Sequence, residues 1–265
     1  MSTSQNMSKA ERRDAARAEA LSLQKKQQAR EKTTRLITLG LLGALVIFLG
    51  VVVWFIVQEG QKSTMERVDR FPAGVVEETG IAVGASGAAG ERTEDAPRLD
   101  VYVDYMCPIC GQFEQTNGAS IDELRESGEV DLVIHPVAIL DRVSQGTEYS
   151  TRAASAAAWV ADQAPEAFEA YNDLLFANQP PENTGGLTNA QLGDLAEQAG
   201  ASSDVAGGIA SGEAEREFSE WVTAVTADVQ TKDFFGGTPT VLIDGEKFQD
   251  WQTVGNLTQA ISQAG

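Results

Sequence analysis

Residues 98–110 read Arg98-Leu99-Asp100-Val101-Tyr102-Val103-Asp104-Tyr105-Met106-Cys107-Pro108-Ile109-Cys110. Leu99 to Val103 alternates in polarity and is rich in β-forming residues, which predicts a strand. Beyond Met106 the spacing becomes helical: Phe113, Ile121 and Leu124 share one apolar stripe of a helix running to about Glu126. Pro108 suits its first turn, where a missing N–H removes no intrahelical bond. Gly128 stops the helix and Val130–Val137 predicts a second strand. A strand–helix–strand unit of this kind has parallel strands joined by a right-handed crossover.

Downstream, residues 147–230 read as helical nearly throughout. Ala153–Ala161 is alanine-rich, Pro165–Asn178 carries Phe168, Leu174 and Leu175, and Thr188-Asn189-Ala190-Gln191 opens a further helix. Glu213–Gln230 places Phe218, Trp221, Val222 and Val225 at helical spacing. After Gly236-Gly237-Thr238-Pro239, Thr240–Ile243 predicts a strand, Asp244-Gly245 a hairpin turn and Lys247–Asp250 the returning strand. Val254–Gln263 predicts a last helix. The order is therefore β-α-β, a helical block, then β-β-α.

Upstream, charge divides the chain. Residues 1–35 hold nine Lys/Arg against four acids, leaving eleven basic and thirty-five acidic side chains beyond them. So acidic a main region repels phosphates, which argues against nucleic acid as a partner. Between the two regimes lie 22 uncharged residues, Leu36 to Val57. At about 1.5 Å per residue they span roughly 33 Å, enough for a bilayer core of about 30 Å. A cleaved signal peptide would have a shorter apolar run and a small-residue cleavage site, so the expectation is a retained single-pass anchor in the lipid bilayer. Positive charge stays on the cytoplasmic side. Residues 1–35 are thus read as a basic cytoplasmic tail, 36–57 as the transmembrane helix and the rest as extracytoplasmic. The Gly/Ala/Ser-rich stretch 58–97 reads as linker, with Val75–Val83 as a short leading strand.

Cys107 and Cys110 are the chain's two cysteines. A structural zinc site needs about four ligands, and a single histidine leaves that set short. A two-thiolate Cu(I) site with His135 or a Met stays open as an alternative. A structural disulfide between residues three apart closes a tiny loop and stabilises little. A redox-active pair is the most economical chemistry. At a helix start, backbone N–H groups and the positive end of the helix dipole favour thiolate over thiol. Cys107 occupies that position and is expected to attack. Cys110, a turn further in, is expected to resolve. Asp100 and Asp104 are weaker candidates for proton transfer, since alternation puts both on the face opposite Val101 and Val103. His135, Trp159, Trp221 and Trp251 read as structural.

The strand, Cys107-Pro108-Ile109-Cys110, the helix with Phe113, and Gly237-Thr238-Pro239-Thr240 before a strand resemble the thioredoxin superfamily, and within it the bacterial DsbA-like branch. The resemblance covers about residues 98–265. It implies an α/β thioredoxin fold with a helical domain inserted at about 145–232. It also implies that Pro239 is a cis-proline facing the cysteines and that Thr238 pairs with an extended substrate peptide. The implied activity is thiol–disulfide exchange on exported cysteine-containing proteins, with the Cys107–Cys110 disulfide as donor and no cofactor or metal. The implied partner is a membrane re-oxidase of the DsbB or vitamin-K-epoxide-reductase type. An extracytoplasmic reductase or isomerase is the alternative of the same chemistry. The family's best-known oxidant has His where Ile109 stands. Many thioredoxins carry a buried acid where Val101 stands. The departure at Ile109 implies a less acidic Cys107 and a less oxidising disulfide than in that relative.

Overall fold

The computed structural model describes residues 9–60 and 64–265, which form two compact units divided after Lys62. In the first, α1 (Lys9–Gly60) is one continuous 52-residue helix. Within it Glu19–Trp54 contains a window of mean hydropathy 2.8, making α1 long and apolar enough to cross a membrane. Thr34 and Thr38 turn their hydroxyls back onto the carbonyls of Arg30 and Thr34, so neither leaves a dangling donor near the apolar run.

The second unit is built on a six-stranded sheet: β1 (Val75–Val76), β2 (Gly80–Val83), β3 (Arg98–Val103), β4 (Asp131–Pro136), β5 (Thr240–Ile243) and β6 (Glu246–Phe248), ordered β1-β2-β4-β3-β5-β6. β3 and β4 are parallel, with Val101 beside Ile134 and Tyr102 beside His135. A parallel pair needs a crossover, and α2 (Pro108–Glu126) supplies it. Phe113, Ile121 and Leu124 of α2 are buried, and Phe113 and Ile121 share a cavity wall with Val101, Val103, Leu132 and Ile134. Burying an aromatic or branched side chain of this size stabilises by about 1.5–3 kcal/mol. α8 (Asn256–Ala264) closes the chain with Leu257 and Ile261 inward.

Between β4 and β5 lies the helical insert: α3 (Tyr149–Gln163), α4 (Phe168–Ala177), α5 (Asn189–Gln198), α6 (Ser203–Ala210) and α7 (Glu213–Val229). The alanines of α3 allow close approach at its centre, where Ala153–Ala161 are all buried. α5 opens with a capping box between Thr188 and Gln191. Trp221 lies in the core and donates through Nε1 to the Glu78 carbonyl at 2.8 Å, pinning the β1–β2 hairpin to the insert.

Two expectations need correction. Val75–Val83 is not one strand but a hairpin, reversed at Glu77 and Glu78, which take φ of 50° and 64°. Residues 64–97 are also not a free linker. Met65, Val68, Ile81, Val83 and Ala89 are buried, and β2 pairs antiparallel with β4. The glycines that read as linker are there for close packing: Gly74 and Gly90 cross so tightly that a Cβ on either would strike the other's backbone. Buried Arg125 donates to the Gly84 and Ala85 carbonyls and pairs with Glu169, fixing the same segment.

Candidate redox site

β3 delivers the chain to the site and α2 carries it away. Cys107 is the N-cap of α2, with extended backbone (φ −77°, ψ 114°), and Pro108 opens the first turn. The Cys107 N–H donates to the Asp104 carbonyl at 2.9 Å, and its own carbonyl accepts from Cys110 and Gly111 N–H at 3.0 and 3.2 Å. Cys107 is 7% exposed and Cys110 is sealed, while Ile109 between them is 46% exposed. Both cysteines are thus buried, the inner one completely.

The two thiols are free and their acidities diverge. Cys107 is pushed down to about 6, chiefly by a hydrogen bond from the Cys110 thiol. Burial opposes this, and the Thr238 side chain with the backbone N–H groups of Cys110 and Ile109 adds to it. Cys110 is held well above the ordinary thiol range, first by burial and then by its bond to Cys107. An anion at Cys107 and a proton on Cys110 stabilise one another.

Thr238 and Pro239 meet this sulfur from the far side of the sequence. Cys107 Sγ lies 3.3 Å from the Thr238 carbonyl oxygen, and the Thr238–Pro239 peptide is cis. Beside them runs an open groove of 490 Å³, lined by Ile109, the stretch 236–241 and the stretch 247–252. Its outer wall is tied to α2: Asn117 donates to the Trp251 carbonyl at 3.2 Å, and Trp251 packs edge-on against Phe113 at 5.4 Å.

Asp104 is buried beneath the junction. One carboxylate oxygen accepts from Met106 N–H at 2.8 Å and Ser150 Oγ at 2.7 Å; the other accepts from Ile139 and Leu140 N–H at 2.8 and 3.0 Å. Burial raises it to about 6 despite these donors. With both oxygens engaged it is a brace between the CxxC turn, the segment after β4 and α3. Asp100, two pleats back, hydrogen-bonds His135 Nε2 at 2.8 Å and pairs with Arg98 at 2.6 Å. Burial works against its ionisation, but the His135 and Arg98 interactions outweigh it and lower its pKa. His135 itself is buried and stacks on Tyr102 at 4.0 Å. Val101 lines the cavity under α2 and brings no acid there. Among the described residues, no group of three or more His, Cys, Asp or Glu is arranged to hold a metal ion.

Sequence reasoning misses Gln179. Its Nε2 donates to the carbonyls of Tyr105 and Cys107 at 3.2 and 2.9 Å from the segment after α4. No local pattern announces it, because its partners lie more than 70 residues away.

These features define a class, the thioredoxin-fold proteins with a redox-type CxxC and an inserted helical domain. The thioredoxin family pattern matches residues 86–263, and the chain belongs to that family. Its fold is that of the DsbA-like thiol–disulfide oxidoreductases. It is 35% identical to the disulfide bond oxidoreductase DsbG of Mycobacterium tuberculosis in its reduced form, over 63% of this chain and 77% of that one, with TM-score 0.55. Reduced DsbA of the same organism is 29% identical over 71% and 100%, TM-score 0.54. The thiol-disulfide oxidoreductase MdbA of Corynebacterium diphtheriae is 25% identical over 77% and 100%, TM-score 0.58. The serine/threonine-protein kinase PknE of Mycobacterium tuberculosis is 32% identical over 126 residues, and the chain spans about a fifth of that kinase's length.

Proposed function

We propose that this protein is a membrane-anchored thiol oxidase that donates a Cys107–Cys110 disulfide to exported cysteine-containing proteins. The observation that carries this is the split between the two sulfurs: Cys107 shallow and acidic, Cys110 sealed and protonated. In the disulfide form a substrate thiolate attacks Cys107, a mixed disulfide forms, and the Cys110 sulfur leaves and takes up a proton. A second substrate thiolate then attacks the substrate sulfur of that mixed disulfide. The products are a substrate disulfide, the Cys107 thiolate and the Cys110 thiol. A stabilised thiolate is a good leaving group, and stabilising the reduced form makes the disulfide more oxidising.

Thr238 and Pro239 are assigned to substrate binding, since both line the open groove and the Thr238 carbonyl lies 3.3 Å from the Cys107 sulfur. Pro108 and exposed Ile109 shape the turn over that groove. Residues 1–35 are assigned to the cytoplasm, 36–57 to the bilayer and the thioredoxin domain to the outside, on the positive-inside bias and the apolar length of α1. Disulfides persist outside the cytoplasm, and anchoring keeps the enzyme in one plane with a re-oxidase of the DsbB or vitamin-K-epoxide-reductase type.

Oxidative folding of a reduced model protein by sub-stoichiometric enzyme tests this. Disulfides should form catalytically with wild type and not with Cys107→Ser. A reduction potential near or below about −270 mV, thioredoxin's value, would instead place the protein among reductases.

A further inference from the structure

The redox site is closed from one side by a residue outside the thioredoxin core. The geometry points to Gln179 as a positioning residue: its side-chain amide locks the Cys107 peptide so that the first N–H groups of α2 stay aimed at the Cys107 sulfur. This rests on Cys107 being the attacking thiol.

The argument begins with hydrogen-bond accounting. The Cys107 carbonyl takes the N–H groups of Cys110 and Gly111 and, as a third donor, Gln179 Nε2 at 2.9 Å. The same nitrogen reaches the Tyr105 carbonyl at 3.2 Å. One amide therefore ties together the peptide that leaves β3 and the peptide that starts α2, on either side of Met106. Cys110 N–H is also one of the groups that favour the Cys107 thiolate. Without Gln179 the Cys107 carbonyl would draw its remaining donors more strongly, and that N–H would be withdrawn from the sulfur.

Space has been left for this contact. Gly111, directly after the second cysteine, has ordinary helical backbone and no conformational need to be glycine. A methyl built on it would stand 2.5 Å from Gln179 Oε1. Alanine is the better helix former, so glycine here accommodates Gln179 at the expense of helix propensity. Gln179 follows Asn178, whose N–H caps α4 on the Leu174 carbonyl, and precedes Pro180-Pro181, which stiffen the segment. The insert thereby reaches the redox turn through a short rigid arm.

The test uses the reduced full-length protein in detergent, with thiolate absorbance followed against pH and redox equilibrium measured against glutathione. Gln179→Leu keeps volume and removes the donor. Its Cys107 midpoint should rise by about half to one pH unit, as loss of one hydrogen bond implies. The equilibrium should shift about three- to tenfold toward the disulfide, making the variant a weaker oxidant. Gly111→Ala should do the same by displacing Gln179, and the double variant should go no further than either single one. Gln179→Met replaces Gln179→Leu if the latter does not fold. Unchanged midpoints in the single variants, or additive shifts in the double one, would overturn the positioning role while leaving the oxidase reading intact. A wild-type midpoint near that of free cysteine would instead remove the oxidase reading itself.

Discussion

Two ends of one strand carry a buried aspartate on the same face, and the protein treats them in opposite ways. Asp100, in the body of β3, faces Arg98 and the His135 ring, and its acidity is increased. Asp104, just past the strand, meets only neutral donors, and burial holds it at about 6. At Asp104 the four neutral donors do not offset desolvation, whereas at Asp100 the hydrogen bonds and charges of His135 and Arg98 together do. The difference follows function. The Asp100 end is a structural tie between β3 and β4. The Asp104 end lies under a sulfur proposed to carry negative charge, where a fully charged carboxylate would oppose the thiolate.

The largest expected effect separates the ends by chemistry. Cys107→Ser and Cys110→Ser should each abolish disulfide donation, and in Cys110→Ser the Cys107 thiolate, attacking a disulfide of oxidised substrate, should accumulate as a mixed disulfide visible on non-reducing gels. Substitutions at Asp100 should do neither. Next in size is stability. Asp104→Ala leaves four donors unsatisfied and should cost about 3–5 kcal/mol in urea unfolding, while Asp100→Asn should cost about 1–3 kcal/mol.

A third effect has opposite signs at the two ends. Asp104 has its folded pKa raised, so its contribution to stability is present below the ordinary aspartate range and is lost as pH climbs toward about 6. Asp100 has its pKa lowered, so its contribution is present above that range and is lost on further acidification. Unfolding measured from pH 3 to 7 should show Asp104→Asn removing a stability decrease between about pH 4 and 6. Asp100→Asn should flatten the acid limb below that. The smallest effect concerns the exposed position: Ile109→His adds one donor beside the sulfur and should raise the reduction potential by about 20 mV, equivalent to roughly 1 kcal/mol.

How much of this is legible in sequence depends on how local the signal is. The strand-to-helix junction shows itself through alternation at 99–103, Pro108 in the first turn and the Phe113–Ile121–Leu124 stripe, all short-range features. The helical insert shows itself through periodicity, and the β5–β6 turn through Asp244-Gly245. The 64–97 segment misleads because glycines used for close backbone crossing look like glycines used for flexibility. Asp104 gives no sign of its brace because its partners come from the 139–140 turn and from Ser150. His135 shows its burial only once Tyr102 is paired beside it. Gln179 is hidden most deeply, since its role exists only after the insert folds back on the redox turn.

The central claim is electrostatic, and one titration addresses it. Thiolate absorbance of the reduced protein, followed from pH 4 to 10 and compared with Cys107→Ser, should show one transition near pH 6 that vanishes in the variant. A single transition near pH 8.5–9, the range of an unperturbed thiol, would contradict the account.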